Sequence, residues 1–151
     1  MINITPTKQV KKDMTLTECK ILDLPTFEDN RGSLTLIDSD TASEYLPFVP
    51  KRCFWIHSMA KNKSRGEHAH RTCWEVVVPI HGSFNLTLND GFRTKNIFAD
   101  NPRKGIVIPP MIWCRLWNFT PQAVCLVFAS ENYNKAGYIN DFMSFVKEVM
   151  K

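Results

Sequence analysis

The chain lacks any apolar run long enough to cross a membrane. Its first residues, Met1-Ile2-Asn3-Ile4-Thr5-Pro6, carry no apolar signal core. No membrane partner is expected, and the reading places the protein in the cytoplasm. A dense basic stripe is also missing. The net charge of +4 is spread over scattered lysines and arginines, so nucleic acid is not an expected partner, whereas an anionic small molecule is. Lys8, Lys11 and Lys12 form a small cluster that reads as a solvated tail. The five cysteines are odd in number and widely spaced, with no C-x-x-C pair. That excludes a disulfide framework and suits reduced, mostly buried thiols. None has a basic neighbour at a helix start, which argues against a thiol nucleophile. There is no repeat, linker or low-complexity stretch. With 151 residues, 44% apolar and 23% charged, the chain reads as one domain over 1–151. Within it, 1–19 stand apart as a segment either flexible or exchanged within a dimer.

What is present is a succession of short strand-like runs divided by turn chemistry. Lys20 to Leu24 is apolar, and Ser33 to Ile37 alternates. Phe54 to His57 is aromatic and β-branched. Trp74 to Ile80 is almost continuously apolar, as expected of a strand covered on both faces. Phe84, Leu86 and Leu88 alternate with Asn85, Thr87 and Asn89, and Asp90-Gly91 then signals a hairpin returning through Phe92 to Phe98. Ile106 to Ile108, Ile112 to Asn118 and Ala123 to Ser130 complete the set. Only the C-terminus reads as helix, with apolar residues at helical spacing over Tyr138 to Met150 and Asn140 and Asp141 near its start. Many short strands and one terminal helix predict a closed or rolled antiparallel barrel.

Two of the four histidines, His68 and His70, stand two residues apart. In an extended chain they project to the same face. Two adjacent imidazoles are costly to bury without partners, and sites that use such pairs are metal centres or proton-transfer centres. Glu75 follows as a charged residue at the head of an apolar run, where it serves as a ligand, a network member or a partner for an arginine.

The spacing His68-x-His70, four residues, Glu75, six residues, Gly82 resembles the first motif of the cupin superfamily. The second cupin motif usually brings a further histidine after a Gly-to-Pro strand; here that strand is Gly105 to Pro109, and Trp113 stands near the expected histidine. A closer resemblance runs from about Phe27 to Phe145. It rests on Asn30-Arg31-Gly32-Ser33-Leu34, Lys51-Arg52, Arg65-Gly66-x-His68-Ala69-His70, Gly82-Ser83, Asn89-Asp90-Gly91, Pro109-x-x-x-Trp113, Ala129-Ser130-x-x-Tyr133 and Tyr138-Ile139. Together these look like the nucleotide-sugar 3,4-ketoisomerases. The resemblance implies an all-β fold, a cupin or jelly-roll barrel with a short C-terminal helix. It implies a homodimer without metal or other cofactor, acting on a dTDP-4-keto-6-deoxy-hexose in the synthesis of bacterial surface glycans. It also implies that a histidine of the pair is the base and that arginines hold the diphosphate. The chain departs from the family at Arg71, where lysine is usual, at Glu75, where glutamine is usual, and at Phe54 and Trp55, near which the family has tyrosines.

The chemistry fits. Moving a ketone from carbon 4 to carbon 3 needs a proton taken from carbon 3, an enediol, and a proton returned at carbon 4. One imidazole can take and return such protons. His70 is the expected base and His68 its partner. Arg31, Arg52 and Arg65 are expected on the diphosphate, with Glu75 and Trp113 as further substrate contacts, Trp113 as a stacking surface. His57 and His81 are expected to be structural or exposed, and Tyr133 and Tyr138 to anchor the C-terminal segment. Three rival readings remain at this stage: a metal-dependent cupin using His68, His70 and Glu75, a sugar-nucleotide-binding cupin without activity, and an epimerase acting at carbons 3 and 5.

Overall fold

The computed structural model describes residues 16–151. The lysine cluster at 8–12 and most of the 1–19 segment lie outside the described residues. Twelve strands follow one another: β1 (Ile21–Asp23), β2 (Thr26–Asp29), β3 (Gly32–Thr35), β4 (Arg52–Ile56), β5 (Arg65–His70), β6 (Glu75–His81), β7 (Phe84–Asn89), β8 (Thr94–Ala99), β9 (Lys104–Ile108), β10 (Trp113–Trp117), β11 (Val124–Ala129) and β12 (Tyr138–Ile139). The helices used below are α1 (Ala42–Tyr45) and α2 (Phe142–Val149), and a 3-10 turn covers Lys135–Gly137. The strands form two five-stranded sheets, ordered β1-β9-β6-β11-β4 and β12-β5-β10-β7-β8, and a separate hairpin, β2-β3. Every pairing is antiparallel. This is the expected cupin-like barrel with its C-terminal helix. Among the described residues no helix is long and apolar enough to cross a membrane.

Alternation on facing strands builds the interior. Phe84, Leu86 and Leu88 of β7 meet Val77 of β6, Ile106 and Ile108 of β9, Cys114 and Leu116 of β10 and Val127 of β11 in one cluster. The apolar run of β6 is covered on both faces. Val77 looks into the barrel, and Val76 and Val78 pack outward against Leu24, Leu46 and Val107. Cys19, Cys73, Cys114 and Cys125 are buried and Cys53 is exposed, and none of them is in a disulfide.

The Asp90-Gly91 turn forms as expected. The Asp90 carboxylate accepts from the backbone N–H groups of Phe92 and Arg93, and Gly91 takes φ +94°. The C-terminal helix begins later than its periodicity predicts, because Tyr138 and Ile139 pair with β5 as a strand. Asp141 then caps α2, its carboxylate accepting from the Ser144 N–H at 2.8 Å. The amphipathic face of α2 buries Phe145 over Ala69 and Ile139. Two strands lie outside the sequence expectation. β2 has no apolar pattern of its own, and β5 is a polar strand whose Arg, Glu and His side chains mask its extended backbone.

Candidate active site

The barrel encloses a cavity of about 380 Å³ lined by Phe54, Trp55, Ile56 and His57 at the end of β4, Arg65, Gly66 and His68 of β5, Glu75 and Val77 of β6, and Ile108, Leu116, Val127 and Tyr138. Its size falls at the lower end of the roughly 300–1,000 Å³ range of ligand clefts. Apolar side chains form most of the wall, with a few polar groups converging on one side.

Local backbone geometry aims His68. Gly66 sits at φ +81° and Glu67 at φ +57°, and the pairing of β5 with β10 shifts register at this point. A bulge of this kind re-aims the next side chain. Gly66 is required there, because a Cβ would lie 2.9 Å from the carbonyl oxygen of Cys114. Glu67 tolerates its left-handed conformation through an ion pair to Arg115 at 3.4 Å and a hydrogen bond accepted from Ser64 at 3.1 Å.

The two imidazoles meet edge to face, with ring centroids 4.9 Å apart. Their surroundings differ. His70 is 5% exposed, and its Nε2 lies 3.0 Å from Oε1 of Glu75, itself 5% exposed. The Arg52 Nη2 stands 4.0 Å from the same carboxylate oxygen, and Nη1 donates to the Tyr138 hydroxyl at 3.3 Å. His68 lines the cavity, and its Nε2 is buried with no hydrogen-bond partner. Burial lowers the His68 pKa below the ordinary histidine value and the neighbouring His70 adds to this, while Glu75 and the Gly66 backbone oppose it. His68 therefore presents a neutral imidazole at physiological pH.

Tyr138 covers both rings, with centroids 4.3 Å from His70 and 5.0 Å from His68. The guanidinium of Arg71 holds this residue's strand in place. Nη1 donates to the carbonyl oxygens of Ala136 and Tyr138, each at 2.9 Å, and Nη2 pairs with Glu148 at 2.7 Å. His68, His70 and Glu75 bring their potential ligand atoms within 4.8 Å of one another, so they are also the group that could hold a metal ion.

The fold thus gathers His68, His70, Glu75, Arg52 and Arg65 at one place. Two of the residues expected there are elsewhere. Trp113 points out of the barrel, where it packs on Phe142 and Phe145 of α2 with centroids 5.3 and 5.7 Å away. Strand alternation explains this: on β10 it is Cys114 and Leu116 that face inward, and the residue paired with His68 is Cys114. Arg31 occupies the tip of the β2-β3 hairpin, with its side chain 86% exposed and ion-paired to Asp29. Conversely, Tyr138 lines the cavity although the sequence reading gave it only an anchoring role, and His57, exposed as expected, stands at the cavity's edge. For Tyr138, its place in a segment shared with the ketoisomerases was the available signal.

Comparison with known proteins agrees with this geometry. The family described as WxcM-like, C-terminal, matches residues 17–150. The chain belongs to this family. It is 31% identical over 134 residues to the TDP-4-oxo-6-deoxy-alpha-D-glucose-3,4-oxoisomerase of Aneurinibacillus thermoaerophilus, covering 89% of this chain and 94% of that protein. Its structure superimposes on a 3,4-ketoisomerase from Helicobacter canadensis with a TM-score of 0.82 at 35% identity, covering 87% of this chain and 97% of that one. It also superimposes on QdtA, a sugar 3,4-ketoisomerase from Thermoanaerobacterium thermosaccharolyticum in complex with TDP. There the TM-score is 0.84 at 29% identity, covering 89% of this chain and 96% of that one.

Proposed function

We propose that this family member is a 3,4-ketoisomerase of a TDP-4-keto-6-deoxy-hexose, acting in the cytoplasm in nucleotide-sugar biosynthesis for surface glycans. The observation that carries the reading is the unpartnered Nε2 of His68 in the wall of a barrel cavity. A buried imidazole nitrogen without a partner is costly unless a ligand completes it. The activities of the relatives supply the ligand class.

The geometry supports exchanging the roles expected of the two histidines. The Nε2 of His70 is committed to Glu75, whereas His68 keeps a free nitrogen and a lowered pKa. His68 is proposed as the base that removes the proton from carbon 3 and returns it at carbon 4. His70, oriented by Glu75, holds the His68 ring edge-on. Arg65 at the cavity wall, with Arg52 behind it, is proposed to meet the diphosphate.

Arg31 enters the same scheme through a second copy of the chain. The β2-β3 hairpin exposes Phe27 and Leu34 opposite one another, 61% and 59% exposed. An isolated two-stranded hairpin is marginal in water. A homodimer that covers this pair stabilises the hairpin and carries Arg31 toward the substrate bound by the other copy.

Incubation with TDP-4-keto-6-deoxyglucose in deuterated water, followed by NMR of the sugar, tests the reading. A 3-keto product is expected, with deuterium at carbon 4 only in the fraction of turnovers in which the His68 imidazolium exchanges with solvent before returning its proton. Binding without turnover would favour a non-catalytic sugar-nucleotide binder.

A further inference from the structure

The ketone shift moves four protons' worth of bookkeeping, and an imidazole working at carbon accounts for only half of it. While His68 carries hydrogen between carbons 3 and 4, the oxygens must also change: O4 gains a proton and O3 loses one. Some group must stand between these two oxygens. Among the described residues lining the cavity, Tyr138 has the only hydroxyl. Phe54 and Ile56 on the facing strand offer none, and the Glu75 Oε1 is taken by His70.

The surroundings of this hydroxyl suit proton transfer. The Arg52 Nη1 donates to it at 3.3 Å. The Tyr138 ring lies against both imidazoles, and Tyr138 and His68 line the same cavity. The pairing of Tyr138 with His70 across β12 and β5 fixes this arrangement in the backbone, and Arg71 clamps the carbonyl of Tyr138 itself.

We infer that Tyr138 is a catalytic residue that carries the proton between the two sugar oxygens; the inference rests on the ketoisomerase reading above. In the first half, neutral His68 takes the proton from carbon 3 and the C–H electron pair becomes the C3–C4 double bond. The π pair of the C4 carbonyl moves to O4, which takes the Tyr138 proton. The result is an enediol, an imidazolium and a phenolate held by Arg52. In the second half, the phenolate takes the proton from O3 and the C3 carbonyl forms. The C3–C4 pair takes the His68 proton at carbon 4. Both side chains return to their starting forms, and no oxidant or reductant is consumed.

Tyr138→Phe keeps the ring that packs on the imidazoles and removes only the hydroxyl. Steady-state kinetics with TDP-4-keto-6-deoxyglucose and calorimetric titration with TDP test it. Loss of a positioned acid–base group typically lowers rate by about a hundred- to ten-thousandfold, so kcat should fall by at least about a hundredfold while TDP affinity stays within a factor of about two. Tyr133→Phe, which removes an exposed neighbouring hydroxyl, should leave kcat unchanged. If Tyr138→Phe does not fold, 3-fluorotyrosine at position 138 keeps shape and hydroxyl but makes the phenol more acidic, and it should change kcat without changing KM. Undiminished kcat in Tyr138→Phe, an unresponsive fluorinated enzyme, or loss of TDP binding with a retained fold would each overturn the assignment. A wild type inactive on this substrate would instead overturn the ketoisomerase reading on which it stands.

Discussion

Arg71 donates a 2.9 Å hydrogen bond to the carbonyl oxygen of Tyr138. The same nitrogen reaches Ala136, and the other end of the guanidinium holds Glu148 of α2. One side chain thus ties the residue after the histidine pair to the strand that covers the imidazoles and to the C-terminal helix. A lysine at this place would offer a single ammonium and could not span these three partners with a planar fork. Arg71→Lys is expected to destabilise the chain by about 1–2 kcal/mol, the net worth of one or two lost hydrogen bonds. Hydrogen exchange should show the loss concentrated at 135–149. Uniform protection in the two proteins would mean that Arg71 does not clamp this segment.

His68→Asn should abolish turnover while TDP still binds, with a loss of about a hundred- to ten-thousandfold. The same substitution has a thermodynamic signature. The His68 pKa in the folded chain is below the ordinary value of 6.5. Between these two values the unfolded chain binds a proton that the folded chain does not. Stability therefore rises with pH through this window and is lost as pH falls below 6.5. The thermal midpoint of the wild type should drop on acidification across this value, and that of His68→Asn should drop less. Parallel curves would count against a buried, neutral His68.

Activity is expected to survive exhaustive chelation. His68, His70 and Glu75 form a set of metal-type donors, but His70 and Glu75 are joined to each other by a 3.0 Å hydrogen bond. Inactivation by chelators, reversed by iron or zinc, would transfer the reading to a metal-dependent cupin.

Arg65→Ala should weaken TDP binding by about ten- to a hundredfold, since a charge-assisted contact is worth roughly 1.5–3 kcal/mol. Wild-type affinity should also fall as salt rises. Equal calorimetric affinities of wild type and Arg65→Ala would remove Arg65 from the diphosphate site.

Phe27→Asp combined with Leu34→Asp should convert a dimer into a monomer in sedimentation velocity and lower activity by withdrawing Arg31. The two side chains face each other on the hairpin and are both largely exposed. A dimer that survives both charges would place the interface on another surface.

Much of the barrel was legible because its strands alternate and its turns carry their own chemistry. Phe84 to Asn89 and the Asp90-Gly91 turn are the plainest case. β5 was legible only as the extended stretch that puts His68 and His70 on one face; its full length was not, because a strand that lines a polar site has no apolar alternation to show. Trp113 was misplaced for a related reason. A motif aligned along the chain gives position but not face, and one residue along β10 separates the outward Trp113 from the inward Cys114. The histidine pair and Glu75 were found through residue type and spacing, and Arg52 and Arg65 through segments that resemble the ketoisomerases. Tyr138 was passed over because nothing in the sequence indicates that the terminal periodic segment begins as a strand lying across the imidazoles.

The hydrogen bond from Arg52 to Tyr138 joins residues 86 positions apart. A chain emerging from the ribosome makes β4, β5 and β6 long before it makes β12, so the histidines exist for some time without their roof. Contacts of such long sequence separation form late, after the loop-closure entropy between them has been overcome. The site is therefore the last part of the molecule to become itself. A partly folded or nascent chain presents an open barrel wall with no oxygen acid over it, and reactive keto-sugars meet a competent enzyme only once the whole fold has closed.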